Sequence, residues 1–245
     1  TNSAVQCYNT TTSVLGSTTA CDVVFSSSGF VFTVPDHVAD TPQTVSVSAV
    51  KQSDGTACVP AFASVTRTLT FGCSHADPSA GTSAVVVGGT SVGCGSGGNV
   101  SLDFDAGGVA TTTVRYADVG RLSLTASYTG TGPEAGLSMA GSDSFVAAPA
   151  SFAVTASGPY VAGSPFGTRV EARNASGTVA ANFGKESSPE TVVLRAVADS
   201  GASATNSQLV GPAGGATGTL TPGAFAAANC TPSSAGSVCD SALTW

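Results

Sequence analysis

The amino-acid sequence predicts an all-β protein: tandem Ig-like β-sandwich domains, the second lacking its last strands. Three observations point there. Apolar and polar residues alternate with period two in one short segment after another. Clusters of Gly, Pro, Ser and Asn separate these segments, roughly every 8–15 residues. No window of the 245 residues carries a helical period with capping residues at its ends.

Each strand is justified by its two faces. Successive side chains of a strand point to opposite sides, so a half-buried strand alternates apolar with polar. Thr44-Val45-Ser46-Val47-Ser48-Ala49-Val50 puts Val45, Val47 and Ala49 on one face. Val100 to Phe104 and Leu122 to Tyr128 repeat the pattern. Arg169-Val170-Glu171-Ala172-Arg173 sets charges on one face and apolar groups on the other. Further strands are expected at 30–34, 64–71, 83–87, 109–116, 142–147, 151–156, 191–197, 217–220 and 241–245. Turn signals lie between them at Ser53-Asp54-Gly55, Pro78 to Gly81, Gly88-Gly89, Gly97-Gly98-Asn99, Gly130 to Pro133 and Gly214-Gly215. Alanine is frequent but sits among Thr, Val, Ser and Gly, which favour strands and turns.

A weak internal repeat divides the chain. Val45 to Val50, the turn Ser53 to Thr56 and Phe62 resemble Val170 to Arg173, the turn Asn174 to Thr178 and Phe183. Val109 to Tyr116 then corresponds to the approach to Trp245. The boundary is expected at Ala147-Ala148-Pro149-Ala150. This gives a Cys-containing N-terminal extension over 1–21, a first sandwich over 22–148 and a second over 149–245. The second reaches Trp245 where the equivalent of Ala117 to Tyr128 would begin, about two strands early. Missing strands leave unpaired backbone and an open core. Either a longer parent continues, the simpler expectation, or another chain supplies the strand. A start at Thr1 without Met also reads as a trimmed section of a larger protein.

Composition narrows the function classes. Hydrophobic residues make up 42% of the chain, enough for a sizeable core, and only 9% of residues are charged. The surface is therefore built from Ser, Thr, Gly, Asn and Ala, as in many secreted β proteins. Eight basic residues against fifteen acidic ones, with the arginines scattered, argue against a phosphate-neutralising patch and hence against nucleic acid. No apolar run is long enough to span a membrane as a helix.

Seven cysteines occur, none in CxxC and none with a histidine at zinc spacing. Cys7 and Cys21, Cys73 and Cys94, and Cys230 and Cys239 each bracket a loop-like stretch, the first of them a possible hairpin and the second holding one short strand. Three local disulfides would staple those stretches, leaving Cys58 unpaired; Cys58–Cys73 is the competing pairing. Disulfides imply an oxidising compartment. Reduced thiols in a cytosolic protein are the alternative.

Catalytic chemistry is hard to assemble from these residues. A hydrolase needs a nucleophile with a base in reach. The two histidines are His37, in a turn after Pro35-Asp36, and His75, in a loop after Cys73, and no Gly-x-Ser-x-Gly elbow is present. Asp103 and Asp105 share a strand face and read as a solvated pair; with the Gly107-Gly108 turn they are also the one candidate calcium site. Gly93, Gly95, Gly97 and Gly98 lack the Lys-Ser/Thr and helix of a phosphate loop. Asn-x-Ser/Thr at Asn9, Asn99, Asn174 and Asn229 reads as chance in a Ser/Thr-rich chain. For a sugar site the aromatic candidates are Tyr8, Tyr128, Tyr160 and Trp245, with Tyr160 the best exposed.

Several stretches carry a resemblance. They are Tyr116-Ala-Asp118-Val-Gly120-Arg-Leu122-Ser-Leu124-Thr-Ala-Ser-Tyr128-Thr-Gly130, Met139-Ala-Gly141-Ser-Asp143-Ser-Phe145-Val146 and Asn182-Phe183-Gly184-Lys-Glu186-Ser-Ser-Pro189-Glu190. With Val34-Pro35-Asp36-His37 and Cys58 to Val65, they resemble the C-terminal Ig-like region of MshQ-type proteins, described as biogenesis proteins of the mannose-sensitive haemagglutinin pilus, a type IV pilus. The likeness spans about 22–245. It implies an exported bacterial surface protein without catalytic residues. The matching motifs look architectural: Gly120 suits a tight turn before a strand, Asp118 bonds amides in that turn, and Phe145 and Phe183 fill the core.

The expected function is a non-catalytic extracellular structural module of a pilus-associated or surface fibre or stalk protein. The alternative is an adhesin or glycan-binding module. No cofactor or metal is expected. The expected partners are neighbouring copies, other pilus or surface proteins, or a glycan.

Overall fold

In the computed structural model, the described residues are 8–9, 14–15, 28–52, 58–158, 161, 165–188, 192–194, 218–220 and 237–244. The strands run in chain order as β1 (Tyr8–Asn9), β2 (Val14–Leu15), β3 (Ser28–Val31), β4 (His37–Val38), β5 (Gln43–Gln52), β6 (Cys58–Pro60), β7 (Val65–Asp77), β8 (Val85–Val87) and β9 (Thr90–Val92). They continue as β10 (Gly98–Phe104), β11 (Val109–Tyr116), β12 (Gly120–Thr129), β13 (Ser138–Ala148), β14 (Ser151–Ser157), β15 (Pro165–Arg173), β16 (Val192–Leu194), β17 (Gly218–Leu220) and β18 (Ser237–Thr244).

Two sheets build the first unit. One has the order β3-β5-β11-β8-β9, with β6 also paired to β5; the other has the order β10-β7-β12-β13-β4. The period-two residues face each other between them. Val45, Val47, Ala49, Ala110 and Val114 of one sheet and Leu69, Phe71, Leu102, Leu122, Leu124 and Phe145 of the other are all buried. Phe62, just after β6, packs its ring at 5.2 Å from Phe104 and 5.1 Å from Tyr128, both edge-on, the geometry aromatic quadrupoles favour. This is the Ig-like sandwich that the alternation predicts.

The short strands follow from turn chemistry. Gly88 and Gly89 both have positive φ (55° and 82°), so β8 and β9 join through the tight turn that fits a right-twisted hairpin. At the corner of the sandwich β3 crosses β13 at close range. A Cβ on Gly141 would lie 2.2 Å from the Phe30 carbonyl oxygen, so only glycine lets the two backbones meet.

The second unit repeats the first in register. Its main sheet has the order β14-β15-β18. Phe30 faces Ala49 across β3 and β5, and Ala110 of β11 faces Val47. In the same way Phe152 faces Ala172 across β14 and β15, and Val238 of β18 faces Val170. Each unit closes the same hairpin: Ala61 N donates to Ala49 O at 2.9 Å, and Ala180 N to Ala172 O at 2.8 Å. β16 and β17 pair antiparallel, as β7 and β10 do.

Three local expectations are corrected. His75 lies within β7, not in a loop; that strand runs on through the disulfide to Asp77, past the end of the apolar alternation. His37 opens β4 rather than a free turn. Its buried ring stacks on Phe145 at 5.2 Å, and Nδ1 sits 2.8 Å from the Pro35 carbonyl. Between Cys73 and Cys94 stand two short strands, β8 and β9, instead of one.

Cys73 and Cys94 form a disulfide with Cα atoms 4.4 Å apart, so the competing Cys58–Cys73 pairing is not the one made. β1 and β2 form the hairpin expected within 7–21. Cys7, Cys21 and Cys230 lie outside the described residues, and Cys58 and Cys239 are described only as backbone, in β6 and β18. The bridge closes a loop of 21 residues. Replacing Cys94 by Ser is expected to lower stability by about 2–4 kcal/mol. Guanidinium unfolding of the variant and the parent under oxidising conditions checks this.

Candidate functional site

The residues whose polar chemistry converges most strongly lie at the joint between the two units. One side is the turn Tyr116 to Gly120, between β11 and β12. Gly120 has φ of 131°, and a Cβ there would stand 2.6 Å from the Asp77 carbonyl oxygen. Both constraints demand glycine. With the turn so fixed, Asp118 points inward, at only 6% exposure.

A buried carboxylate must be satisfied by donors. Asp118 Oδ1 accepts from Val119 N at 2.8 Å and from Asn182 N at 3.1 Å, and Oδ2 lies 3.5 Å from Ser83 Oγ. Asn182 belongs to the other unit. Its amide nitrogen donates to the Tyr116 hydroxyl at 3.0 Å and to the Val119 carbonyl at 3.3 Å. Tyr116 is fully buried, and that burial, with the charge of Asp118 second, holds its phenol well above its ordinary pKa.

Two further ties flank this centre. Asn174, at 4% exposure, donates to the Ala117 carbonyl at 2.8 Å while its oxygen accepts from Ser176 N and Thr178 N. Ala175 N donates to the Ala39 carbonyl at 3.0 Å. On the other side Asp77 accepts from Ser187 twice, from N and from Oγ, each at 2.8 Å. Phe183 is buried beside the joint, and its ring meets Phe152 edge-on at 5.3 Å.

A cleft of about 420 Å³ opens along the joint, lined among others by Asp77, Arg121, Ala147, Pro149, Phe183 and Glu186. Glu186 Oε2 is buried there without a hydrogen-bond partner. Burial first, and then the charges of Asp77 and Asp118, raise the Glu186 carboxyl above its ordinary 4.5 against the opposing pull of backbone amides.

The sequence candidates sort as follows. Asp118, Gly120 and Phe183 meet at the joint, and Phe145 lies in the first core under His37. Phe183 sits in a turn rather than at the end of a strand. Asp105 Oδ1 accepts from Gly107 N at 2.8 Å and Val109 N at 2.9 Å, and Asp103 from Thr66. Both carboxylates are therefore engaged in shaping β10 and its turn. Among the described residues no group of three or more His, Cys, Asp and Glu is placed to hold a metal ion, and no helix is long and apolar enough to cross a membrane. Tyr128 donates its hydroxyl to Glu134, which also holds Arg67, and so braces a loop instead of standing free. Of Tyr8 only the backbone, in β1, is described, while Tyr160 and Trp245 lie outside the described residues. The sequon at Asn174 is buried and fully engaged. Sequence reasoning missed Asp77, Asn174, Asn182 and Ser187. Asn182 and Ser187 stood in the short motif from Asn182 to Glu190 and Asn174 opened the turn to Thr178, while Asp77 carried no signal.

A two-sheet β-sandwich, held by buried polar contacts to the sheets that follow it, defines an Ig-like β protein. A family described as a domain of unknown function (DUF6701), first Ig-like domain, matches residues 4–142. The chain belongs to that family. A comparison with curated proteins finds no match.

Two expectations follow for the joint. Asn182→Asp replaces a donor by a second carboxylate next to Asp118, so it is expected to cost about 3–5 kcal/mol, and Asn182→Ala about 1–3 kcal/mol; denaturant unfolding ranks the two. Because the fold raises the Glu186 pKa, the stability linked to its proton is present below about pH 4.5 and is lost as pH rises through the folded value. Glu186→Gln is therefore expected to unfold later than the parent at neutral pH, with the gap closing in acid. Thermal unfolding of both proteins across that range reads it directly.

Proposed function

We propose that this chain is a non-catalytic structural module of an exported bacterial surface protein, a stalk or fibre segment associated with a pilus. The single observation that carries the reading is the joint. Asp118, Asn174 and Asn182 tie the two units through buried or half-buried hydrogen bonds, and Asp77 and Ser187 add exposed ones. Such contacts hold two sandwiches at one angle, which is what a load-bearing spacer requires and a catalyst does not. The disulfide Cys73–Cys94 supports an oxidising, extracellular setting. The resemblance to MshQ-type proteins supports the pilus association, and a surface with 9% charged residues suits packing beside neighbouring copies or other surface proteins. The chain divides, on this reading, between 148 and 149, with sandwiches over 22–148 and 149–245. The remaining expected disulfides, Cys7–Cys21 and Cys230–Cys239, belong to the same proposal.

The test is immunogold electron microscopy of intact producing cells with antibody raised to this chain. Label on the cell surface along fibres or stalks is expected. Label confined to the cytoplasm of sectioned cells would end the proposal. Small-angle scattering of the purified chain gives the companion expectation: a rod of constant length that shortens or blurs in Asn182→Asp.

A further inference from the structure

The disulfide seen among the described residues joins two unlike places. Cys73 lies inside β7, at 9% exposure. β12 pairs along one side of it, through Leu124, and the turn that carries Cys94 lies along the other. Cys94 is half-buried in that turn, Gly93 to Gly97, where Gly95 and Ser96 are exposed and a Cβ on Gly95 would meet no atom within 4 Å. One cysteine is walled in by strands; the other is carried by an open turn.

The turn does not need the bond for its shape. Gly97 N donates to the Gly93 carbonyl at 2.8 Å, and Ser96 N donates to the same oxygen at 3.2 Å. Gly97 has φ of 70°, and a Cβ there would stand 2.9 Å from the Phe71 carbonyl oxygen, so glycine is what lets the turn settle on β7. Cys73 and Cys94 then face each other across a β-bridge, with Cα atoms 4.4 Å apart. The backbone thus brings the two thiols together before any bond exists. Cys73 Sγ lies 3.4 Å from the Val92 carbonyl, a ready acceptor for its S–H in the reduced chain.

Two thiols become a disulfide by two exchanges, through a mixed disulfide with the oxidant. The first exchange is bimolecular, so it falls to the sulfur that a second protein can reach. The second is intramolecular and needs only proximity. Those two demands divide between Cys94 and Cys73.

We propose that Cys94 is the entry site for a dithiol–disulfide oxidoreductase and that Cys73 is the resolving cysteine. The Cys94 thiolate attacks the partner's disulfide: a bond forms from Cys94 Sγ to one partner sulfur, and the other leaves as a thiolate. The Cys73 thiolate then attacks Cys94 Sγ and expels the first partner sulfur. Two electrons pass from the chain to the partner, whose disulfide becomes a dithiol. The two protons that the chain's thiols release are matched by two that the partner's sulfurs take up. The sandwich is built first and the bond closes on it afterwards. The inference goes beyond the stalk reading and stands without it.

The test uses the full chain, reduced, refolded and freed of reductant. The probe is a thioredoxin whose second active-site cysteine is alanine, activated at the first with thionitrobenzoate. Samples quenched in acid over time are mapped by peptide mass. In the parent, a mixed disulfide through Cys94 is expected first, and it should decay into the Cys73–Cys94 bond. In Cys73→Ser it should persist. In Cys94→Ser a complex through Cys73 should form at least about tenfold more slowly than the Cys94 complex does in Cys73→Ser, and guanidinium should erase that difference. The parent alone reports which sulfur reacts first, so the proposal stays open to refutation even where a variant folds poorly. Three results would overturn it: a complex through Cys73 that forms as early as the one through Cys94 in the parent; a difference between the two cysteines that survives in guanidinium; or a reduced parent that lacks the β-sheet circular dichroism of the oxidised one.

Discussion

Asp118 carries a negative charge where almost no water reaches it. Such a group costs several kcal/mol unless donors surround it. The first unit supplies one near donor, Val119 N, and a distant one, Ser83 Oγ; the other near donor is Asn182 N from the second unit. The place of the second unit is therefore tied to the solvation of a carboxylate in the first. Asn182 in turn satisfies the buried Tyr116 hydroxyl, so the charge and the phenol share one neighbour. The turn that aims Asp118 exists only because Gly120 adopts φ of 131° beside the Asp77 carbonyl. One glycine, one carboxylate and one amide hold the joint as a set.

The other charges act locally. Glu171 is gripped by Arg169 at 2.5 Å and Arg173 at 2.7 Å on the same strand, and Arg115 reaches Asp40 at 2.7 Å. Partly exposed pairs of this kind contribute little to stability. Their use is to pin a strand face or a loop in a chain whose surface otherwise depends on hydroxyls. Ladders such as Thr68–Ser101 and Thr70–Asn99 across β7 and β10 show how that surface is built. Neutral hydrogen bonds of this sort do not weaken with salt.

Much of the fold was legible because strands write their two faces into sequence. Alternation located β5, β10, β11 and β12 to within a residue or two. It missed β4, β6 and β9, which are too short to show a period, and it ended β7 early because Gly72, Ser74 and His75 break the apolar rhythm. The repeat was legible in Val45 to Val50 and Val170 to Arg173, and the register of the sheets makes the same correspondence residue for residue. The joint was only half visible. Asp118 and Gly120 advertise a turn, but the partner that completes it stands 64 residues away, and no local pattern encodes a contact at that distance.

The bridge between Cys73 and Cys94 has a meaning for any pull carried along the backbone. Fully extended, the 21 residues it spans would reach about 70 Å, yet the bridge holds their ends 4.4 Å apart. Tension entering through β7 passes across the sulfurs to the strand that follows, β10, and leaves β8 and β9 unloaded. That hairpin can neither be drawn out nor absorb work by unravelling. The first sandwich is thus shortened as a spring: it yields less length before it gives way, and the slack it withholds must come from strands outside the loop.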